Sequence, residues 1–513
     1  MKNLKILFLY PNLHMRILIP GGISILSACL KRDGFNKIQL FDPTWYEYSD
    51  ENFSNTEGSR DHIKAKLGLV KKFDYADRYV FPNYGNMYDD FRKKVIEYNP
   101  DLIITSLVED TYEIFLDMMK SIEDLKDNFT TLVGGVFPTS APEIFESIDM
   151  VDYLCRGEGE EALVEFCNHL ENGTNPINVQ NIWTKKNRKW IQKNALRPVY
   201  DVDKLPIQDL SIFDDKSFYR AMMGKIYRVA PVETQRGCPF GCRFCNSPEK
   251  NIIYNKEKAG KFYRKRKISS IREELLYLRD EYKIEYIFFT TDTMLAMEDD
   301  EFDEFCDMYS EFKIPFFCHT RPETVTDYRA KRLKEIGVSK MNVGVEHGNE
   351  EYRKKMIGRV YKNEIAIEAF KILKKYDIST TCNFIIGYPD ETRELAFESI
   401  KLAKQLNIDD INAFIFAPYH GTLLRAICED KGYLRKGEVV KMYYTDSMLK
   451  MPHPYMSRKE IAGLLKTFSL YVRLTEEYWN DIKKCESDGY DDLYEELLKI
   501  SMKPKDDKQD IHL

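Results

Sequence analysis

Three of the eleven cysteines in the chain crowd into one short window, within the sequence RGCPFGCRFC. The C-x3-C-x2-C spacing directly follows a strand-like run and lies on a loop with two glycines and a proline. Three thiolates this close together can bind three irons of a cubane iron–sulfur cluster and leave the fourth iron open to a small molecule. A structural zinc site needs a fourth ligand, and the next cysteines, Cys306 and Cys318, lie a predicted helix away. The window therefore predicts a 4Fe–4S cluster bound by Cys238, Cys242 and Cys245.

The cysteine window opens a run of alternating strand-like and helix-like segments from about Arg228 to Pro418. Short apolar runs separated by helical periodicity are typical of parallel βα units. Six such strands predict an open or partial (β/α) barrel. The candidate strands are Val232–Gln235, Tyr286–Thr290, Phe316–His319, Met341–Val345, Thr381–Ile386 and Asn412–Phe416.

A second set of βα units occupies the N-terminal part of the chain. Lys5–Tyr10 is a mostly apolar run typical of a buried parallel strand, and Gly34 is a suitable C-terminal cap for a helix over Ile23–Asp33. This alternation predicts a doubly wound, Rossmann-like α/β sheet. Its further candidate strands are Lys37–Asp42, Leu102–Ser106, Thr130–Val133 and Tyr153–Cys155.

These patterns divide the 513 residues into four segments. Residues 1–180 are predicted to form the Rossmann-like domain, and residues 181–224 a linker that contains Pro198 and Pro206 and shows little periodicity. The partial barrel is expected over residues 225–430. Residues 431–513 are expected to be helical and to end in a polar tail, Lys503–Leu513.

Composition excludes several classes of protein. Lys and Arg number 76 against 83 Asp and Glu, so the net charge of −7 argues against a dedicated nucleic-acid binder. An odd and sparse set of cysteines does not make a disulfide scaffold. The uncharged stretch Ile17–Leu30 is broken by Pro20, Gly21 and Gly22 and is shorter than the ~20 residues of a membrane span. Because no signal peptide is visible, we expect a cytoplasmic protein without a membrane span.

The cysteine triad resembles the signature of radical S-adenosylmethionine (SAM) enzymes, and the resemblance extends over the predicted barrel. It implies that Cys238, Cys242 and Cys245 bind a 4Fe–4S cluster and that SAM chelates the open iron. One-electron reduction then cleaves SAM to methionine and a 5′-deoxyadenosyl radical. Phe244, the aromatic residue before the last cysteine, resembles the residue whose backbone lies against the adenine.

Other SAM-contacting positions are implied by their places at predicted strand ends, the face on which barrel enzymes carry their sites. Asp292 resembles one of a family pair of acids, although Thr291 departs from that pattern. Arg321 resembles an arginine near the SAM carboxylate or ribose, and Glu346 matches the acid of a G-x-E-x-G motif. Ile386 and Gly387 resemble a segment that packs on adenine. The alternatives are a helix N-cap for Asp292 and a structural ion pair for Arg321.

The N-terminal domain resembles the cobalamin-binding domain of one branch of these enzymes. Glycine-rich loops at strand ends would let backbone approach a flat macrocycle. A D-x-H-x-x-G motif is missing, and His14, His62 and His169 lack its spacing, which implies base-off cobalamin without a histidine ligand. The alternative is a domain that binds nothing and stabilises the barrel. The residues that carry the resemblance are Pro20, Gly21, Gly22, Ser106, Gly134, Gly135, Arg156, Gly157 and Glu158.

Taken together, the resemblances imply a cobalamin-dependent radical SAM enzyme that transfers a methyl group to an unactivated carbon of a small molecule. A reductase with flavodoxin, or a ferredoxin, would supply the electron. A radical cyclase or rearrangement enzyme similar to the anaerobic porphyrin-ester cyclase, without net methylation, is the alternative within the class. A non-catalytic cobalamin or redox sensor is the alternative from another class. No catalytic acid or base is assigned.

Overall fold

The computed structural model describes residues 2–12, 16, 18–46, 67, 69, 73–441 and 446–502. His14, His62 and the polar tail Lys503–Leu513 lie outside these residues. The described chain forms two seven-stranded sheets and one two-stranded ribbon. The α/β class predicted from the sequence is confirmed.

The first sheet and its helices follow in chain order from the N-terminus. They are β1 (Ile6–Leu9), α1 (Gly21–Arg32), β2 (Ile38–Phe41), α2 (Met87–Tyr98), β3 (Leu102–Ser106), α3 (Tyr112–Lys120), β4 (Thr130–Gly134), α4 (Val136–Ser140), β5 (Tyr153–Cys155), α5 (Glu160–Glu171), β6 (Ile182–Lys186) and β7 (Lys189–Lys193). Strand order across the sheet is β2-β1-β3-β4-β5-β6-β7, and β1 to β5 pair in parallel. This is the predicted doubly wound arrangement.

Strand β1 shows why both faces of this sheet are covered by helices. Its four residues are all buried. Ile6 and Phe8 pack in the core that includes α1 and α5, whereas Leu7 and Leu9 pack in the core that includes α2 and α3. An apolar run without alternation therefore marks a strand in the middle of a parallel sheet.

The hairpin β6–β7 lies in the segment that the sequence assigns to the linker. It continues the first sheet in antiparallel fashion from β5. The rings of Trp183 and Trp190 lie 5.9 Å apart at a steep angle. Lys186, Lys189 and Lys193 are exposed, and these charged residues conceal the strand pattern in the sequence.

The second sheet belongs to the predicted barrel. Its elements are β8 (Tyr219–Met222), β9 (Lys225–Val232), β10 (Gln235–Arg236), α6 (Asn246–Lys256), β11 (Arg264–Lys265), α7 (Ile268–Asp280), β12 (Tyr286–Phe289), α8 (Asp299–Tyr309), β13 (Phe316–Thr320), α9 (Asp327–Glu335), β14 (Val338–Glu346), α10 (Glu350–Tyr352), α11 (Asn363–Lys375), β15 (Ser379–Ile386), α12 (Arg393–Gln405), β16 (Asp410–Ile415) and α13 (Leu423–Asp430). Strand order is β16-β15-β14-β13-β12-β9-β8. Strands β9 and β12 to β16 pair in parallel, as a partial (β/α) barrel requires.

Three helices follow the barrel, and the first of them packs against its last strand: α14 (Arg458–Arg473), α15 (Trp479–Cys485) and α16 (Asp491–Ser501). The ring of Phe468 on α14 lies 5.7 Å from that of Phe384 on β15. Arg393 at the start of α12 forms an ion pair with Glu486, to which Tyr471 also donates a hydrogen bond. None of the helices in the described ranges combines the length and the apolar character that crossing a bilayer requires.

A largely buried group of charged residues joins the first domain to the β10–β11 ribbon. Arg236 of β10 donates hydrogen bonds to Glu158 and Glu160 of the first domain, at 2.8 and 2.5 Å. Arg264 of β11 also forms an ion pair with Glu158. Burial alone would raise the pKa of Glu160, but the neighbouring Arg236 lowers it below its ordinary value. The first domain is therefore tied to the segment that directly precedes Cys238.

We expect Arg236→Met to destabilise the protein by about 3–5 kcal/mol, because it leaves buried carboxylates without their cation. Urea unfolding followed by circular dichroism measures the change. Arg188→Met is the matched control, since Arg188 and its partner Asp149 are both exposed and such pairs contribute about 0–1 kcal/mol. An equal decrease in the free energy of unfolding in the two variants would contradict a structural role for the buried charged group.

Candidate active site

The three cysteines lie on the loop between β10 and α6. Gly237 turns the chain into this loop with a φ of +81°, and a Cβ there would lie 3.0 Å from the ring of Phe262. Cys238 and Cys242 are buried, whereas Cys245 is partly exposed and caps α6 by accepting a hydrogen bond from Ser247 N at 3.4 Å. The loop thus gathers three thiols at the carboxyl edge of the barrel sheet.

Each sulfur already has a hydrogen-bond partner. Thr293 Oγ1 lies 3.6 Å from Cys238 Sγ. Cys242 Sγ accepts hydrogen bonds from Arg359 Nε at 3.3 Å and from Arg321 Nη1 at 3.6 Å. Burial raises the pKa of Cys245 to about 12, so its thiol keeps a proton until a metal displaces it.

The donor set fits a cubane cluster better than a single ion. Among the described residues, no three His, Cys, Asp or Glu side chains are placed to hold one metal ion. A cubane differs from such a site because each thiolate binds a different iron. All eleven cysteines are free thiols, so the three of the window are available as ligands. The cluster ligands remain a prediction that this arrangement supports.

Asp292 follows β12 and reaches toward the cysteine loop. Its Oδ2 accepts a hydrogen bond from Ser247 Oγ at 2.8 Å, and its carboxylate is one of the charges that raise the pKa of Cys238 after the larger effect of burial. The neighbouring Thr291 points elsewhere, since its Oγ1 accepts from Thr234 N at 3.0 Å. Asp292 alone of this pair is therefore available to a ligand beside the cysteines.

Arg321 follows β13 and is buried beside the cysteine loop. Its guanidinium lies 3.8 Å from the centre of the Phe240 ring and forms an ion pair with Glu323. Its Nε is buried and has no hydrogen-bond partner among the described residues. Arg321 therefore has the structural ion pair that was the alternative interpretation, and its contact with SAM stays a prediction.

Glu346 ends β14 in a left-handed conformation with a φ of +71°, which is uncommon for a residue with a side chain. Its carboxylate folds back over Gly344, where a Cβ would lie 2.4 Å from Oε1. Arg359 Nη2 lies 3.1 Å from the same oxygen. Burial raises the pKa of Glu346, and Arg359 and Arg321 act in the opposite direction. Such strain clusters at functional sites.

The turn after β15 carries Ile386 and Gly387. Gly387 has a φ of +78°, and a Cβ there would lie 3.1 Å from two atoms of Ile461. Glu391 holds the turn by accepting hydrogen bonds from the backbone N–H groups of Gly387 and Tyr388. The ring of Tyr388 lies 6.1 Å from that of Phe244, and its buried hydroxyl has no hydrogen-bond partner within the described part of the chain. Aromatic rings therefore form an apolar wall beside the cysteine loop, and the Tyr388 hydroxyl is a polar group within that wall.

Two buried charged residues of this site were missed in the sequence. Arg359 lies thirteen positions after Glu346, just beyond a π-helical turn over Arg353–Ile357. Glu391 also contacts His347 Nε2 at 3.0 Å. A lone arginine or glutamate in a charged stretch gives no sequence signal, although the π-helical turn, often found at functional sites, is visible in the structure.

The glycines in the loops of the first domain differ in how closely other atoms approach their Cβ positions. Gly21 and Gly22 follow Pro20 at the start of α1, and a Cβ at either would have no atom of the described residues within 4 Å. Gly135 has a φ of +103°, and a Cβ there would lie 2.6 Å from Leu107 O. A larger residue at Gly135 would thus disturb the loop itself, whereas no described residue excludes a side chain at Gly21 or Gly22.

Three other predicted cobalamin contacts face the barrel. Arg156 forms an ion pair with Glu257 of α6. A Cβ at Gly157 would lie 2.6 Å from the Tyr254 hydroxyl, which accepts a hydrogen bond from Glu158 N. The structure gives these residues partners within the protein, and their contact with cobalamin stays a prediction. The same holds for Ser106 and Gly134 at the ends of β3 and β4.

The carboxyl edges of the two sheets meet through the loop after β16. His420 Nδ1 lies 2.7 Å from Glu109 Oε1, and His420 N donates to Glu109 Oε2 at 2.8 Å. The adjacent Tyr419 donates its hydroxyl hydrogen to Asp110 Oδ1 at 2.9 Å. Glu109 and Asp110 follow β3 of the first domain. His169, by contrast, lies on the last turn of α5, where Nδ1 is 2.8 Å from Thr174 Oγ1.

Two family models match the chain. Residues 232–415 match the Radical SAM superfamily, and residues 68–167 match the B12 binding domain. The first match begins at the end of β9 and covers the cysteine loop and every strand of the barrel after it. The second covers β3, β4 and β5 with their loops.

Relatives and solved structures agree with these matches. An uncharacterized methyltransferase of Pyrococcus horikoshii is 30% identical over 75% of this chain and 82% of its own length. The anaerobic magnesium-protoporphyrin IX monomethyl ester cyclase of Cereibacter sphaeroides is 24% identical over 82% of this chain and 63% of its own. The radical S-adenosylmethionine methyltransferase TsrM from Kitasatospora setae has a similar fold, with a TM-score of 0.62, 16% identity and coverage of 84% of this chain and 77% of that one.

We expect the triple substitution of Cys238, Cys242 and Cys245 by alanine to abolish cluster assembly, since it removes every predicted iron ligand. Anaerobic reconstitution with iron and sulfide, followed by visible absorbance and iron analysis, measures the loss. Cys318→Ala is the control because Cys318 is a buried thiol of β13. A triple variant that kept its iron would refute the assignment.

Glu346→Gln and Arg321→Ala should weaken SAM binding without removing the cluster. A lost charge-assisted hydrogen bond contributes about 1.5–3 kcal/mol, which corresponds to about 10- to 150-fold in affinity. Equilibrium dialysis against labelled SAM measures it. Glu351→Gln is the control, since that carboxylate is 70% exposed and pairs with Lys355. Unchanged affinity in both test variants would show that these residues are structural.

Proposed function

Because the chain belongs to the radical SAM superfamily and carries a B12-binding domain, we propose that it transfers a methyl group from SAM to an unactivated carbon of a small molecule. When bound, the cluster with SAM supplies a 5′-deoxyadenosyl radical, and cobalamin supplies a transferable methyl group. The cysteine triad would hold the cluster. Phe244, Arg321, Glu346 and the Ile386–Gly387 turn would hold SAM, with Asp292 beside them.

One observation carries this proposal, namely that the carboxyl edges of the two sheets are in contact. Glu109 and Asp110 of the first domain bind the loop after β16, and Ser140 Oγ donates to Glu249 Oε2 of α6 at 2.7 Å. Ligands of open α/β sheets bind at carboxyl edges. The loops expected to bind cobalamin therefore adjoin the helix that follows the cysteines, as methyl delivery to a substrate radical requires.

The site also offers an apolar enclosure for a radical. Tyr388, Phe416 and Ile357 are buried in one cluster, against which Phe244 and Tyr352 pack. Such side chains exclude water and present few polar atoms to a reactive intermediate. Glu391, fully buried, fixes the turn on which Tyr388 lies. The chain's own contribution is thus to orient SAM through charged groups and to keep the remaining wall dry.

A radical cyclase is the second candidate, and the likeness to the porphyrin-ester cyclase favours it. Both activities would use the same cluster, SAM site and B12-binding domain. They differ in whether the methyl group of SAM leaves with the product. For either activity, we propose a flavodoxin or a ferredoxin as the electron donor and the cytoplasm, where thiols stay reduced, as the location.

The experiment uses SAM with a deuterated methyl group, hydroxocobalamin and titanium(III) citrate with the full-length protein under anaerobic conditions. We expect 5′-deoxyadenosine, and we expect the label to be transferred to cobalamin, both detected by mass spectrometry. The triple cysteine variant is the control, which should lose the 5′-deoxyadenosine alone. Formation of 5′-deoxyadenosine without labelled cobalamin would favour the cyclase, and neither product would refute both candidates.

A further inference from the structure

The three cysteine sulfurs have unequal surroundings. Cys238 has the Thr293 hydroxyl and the backbone N–H of Phe240 near it, and Cys245 has the backbone N–H of Ser247, all of them neutral donors. Cys242 Sγ alone of the three accepts hydrogen bonds from two guanidinium groups, those of Arg359 and Arg321. Two positive charges therefore converge on one predicted iron ligand.

Both guanidinium groups are held in place by other contacts. Arg359 Nη1 donates to Gly344 O, and its Nη2 pairs with Glu346, so Nε is left for the sulfur. Arg321 is held by the Phe240 ring and by Glu323. Only 7% of Arg359 and 5% of Arg321 is exposed. Solvent therefore screens these charges weakly, and their interaction with the sulfur is stronger than at the surface.

An N–H donor on a cysteine sulfur affects the reduction of an iron–sulfur cluster. Reduction adds one negative charge, part of which resides on the thiolate sulfurs. A cationic donor stabilises that more negative state and thereby raises the reduction potential. Neutral donors, such as those near Cys238 and Cys245, do this less.

We propose that Arg359 and Arg321 are positioning residues that raise the reduction potential of the cluster through their hydrogen bonds to Cys242. This rests on the cluster assignment of the proposed function. It gives the two arginines a role that is separate from any contact with SAM, because it operates on the cluster before SAM binds. Arg359 would thus take part in the one-electron reduction of the cluster.

The first test uses wild-type protein, so it does not depend on a variant that folds. Arginine labelled with 15N only in its guanidinium group is incorporated into the protein, and the reduced cluster is studied by pulsed electron paramagnetic resonance without SAM. We expect a weak coupling to 15N that unlabelled protein lacks. A cluster without this coupling would overturn the proposal, whereas failure to assemble any cluster would overturn the proposed function itself.

The second test measures the midpoint potential of Arg359→Gln and Arg321→Gln in redox titrations without SAM. At a fixed potential, we expect the ratio of reduced to oxidised cluster in Arg359→Gln to fall about tenfold, which for a one-electron couple is a shift of about 59 mV to more negative values. Arg321→Gln should shift in the same direction by less, since its donor is farther from the sulfur. Arg359→Lys, which keeps the charge, should recover part of the loss.

Lys354→Gln is the matched control, because it removes one positive charge from an exposed side chain five residues before Arg359. Its potential should equal that of the wild type, since exposed charges are screened. Equal shifts in Lys354→Gln and Arg359→Gln would overturn the role of the direct hydrogen bond. Wild-type midpoint potentials in Arg359→Gln and Arg321→Gln would overturn the proposal as well. If the glutamine variants hold no cluster, the proposal is judged by the 15N coupling in the wild type and by the midpoint potential of Arg359→Lys.

Discussion

The buried pairing of Arg236 with Glu158 and Glu160 is the interaction on which the arrangement of the two domains depends. Arg236 precedes Cys238 by two residues, and the two glutamates lie at the loop between β5 and α5. Buried charges are costly unless they are paired, so neither domain can move away without exposing or orphaning them. The cysteine loop and the first domain are therefore held in one fixed relation.

The sequence predicted the parts of this fold that repeat a simple pattern. Buried parallel strands such as Tyr153–Cys155 are recognisable because they are short apolar runs with turn residues on both sides. The hairpin β6–β7 was not recognised, since lysines fill three of the four exposed positions of its strands. The cysteine triad was visible because its spacing is local. Arg359 and the contact of Glu109 with His420 were not, because each joins residues that are distant along the chain.

A glycine that resembles a cobalamin contact can be required by the backbone of its own loop. Gly135 lies in a loop that resembles a cobalamin contact, yet its backbone conformation and the nearby Leu107 carbonyl already require glycine. Gly22 does not have a positive φ, and no atom of the described residues lies within 4 Å of its Cβ position, so no described part of the chain excludes a side chain there. Of the two, Gly22 is the more informative position for a study of cobalamin binding.

The contacts between the first domain and the barrel argue against studying the B12-binding domain alone. Truncation after β7 would remove Arg236 and Arg264, and Glu158 and Glu160 would lose their cations. It would also remove His420, whose Nδ1 and backbone N–H both bind Glu109. Three carboxylates would then be without their partners at the edge where cobalamin is expected. Weak binding by such a fragment would reflect these losses, and only the full chain presents the intact edge.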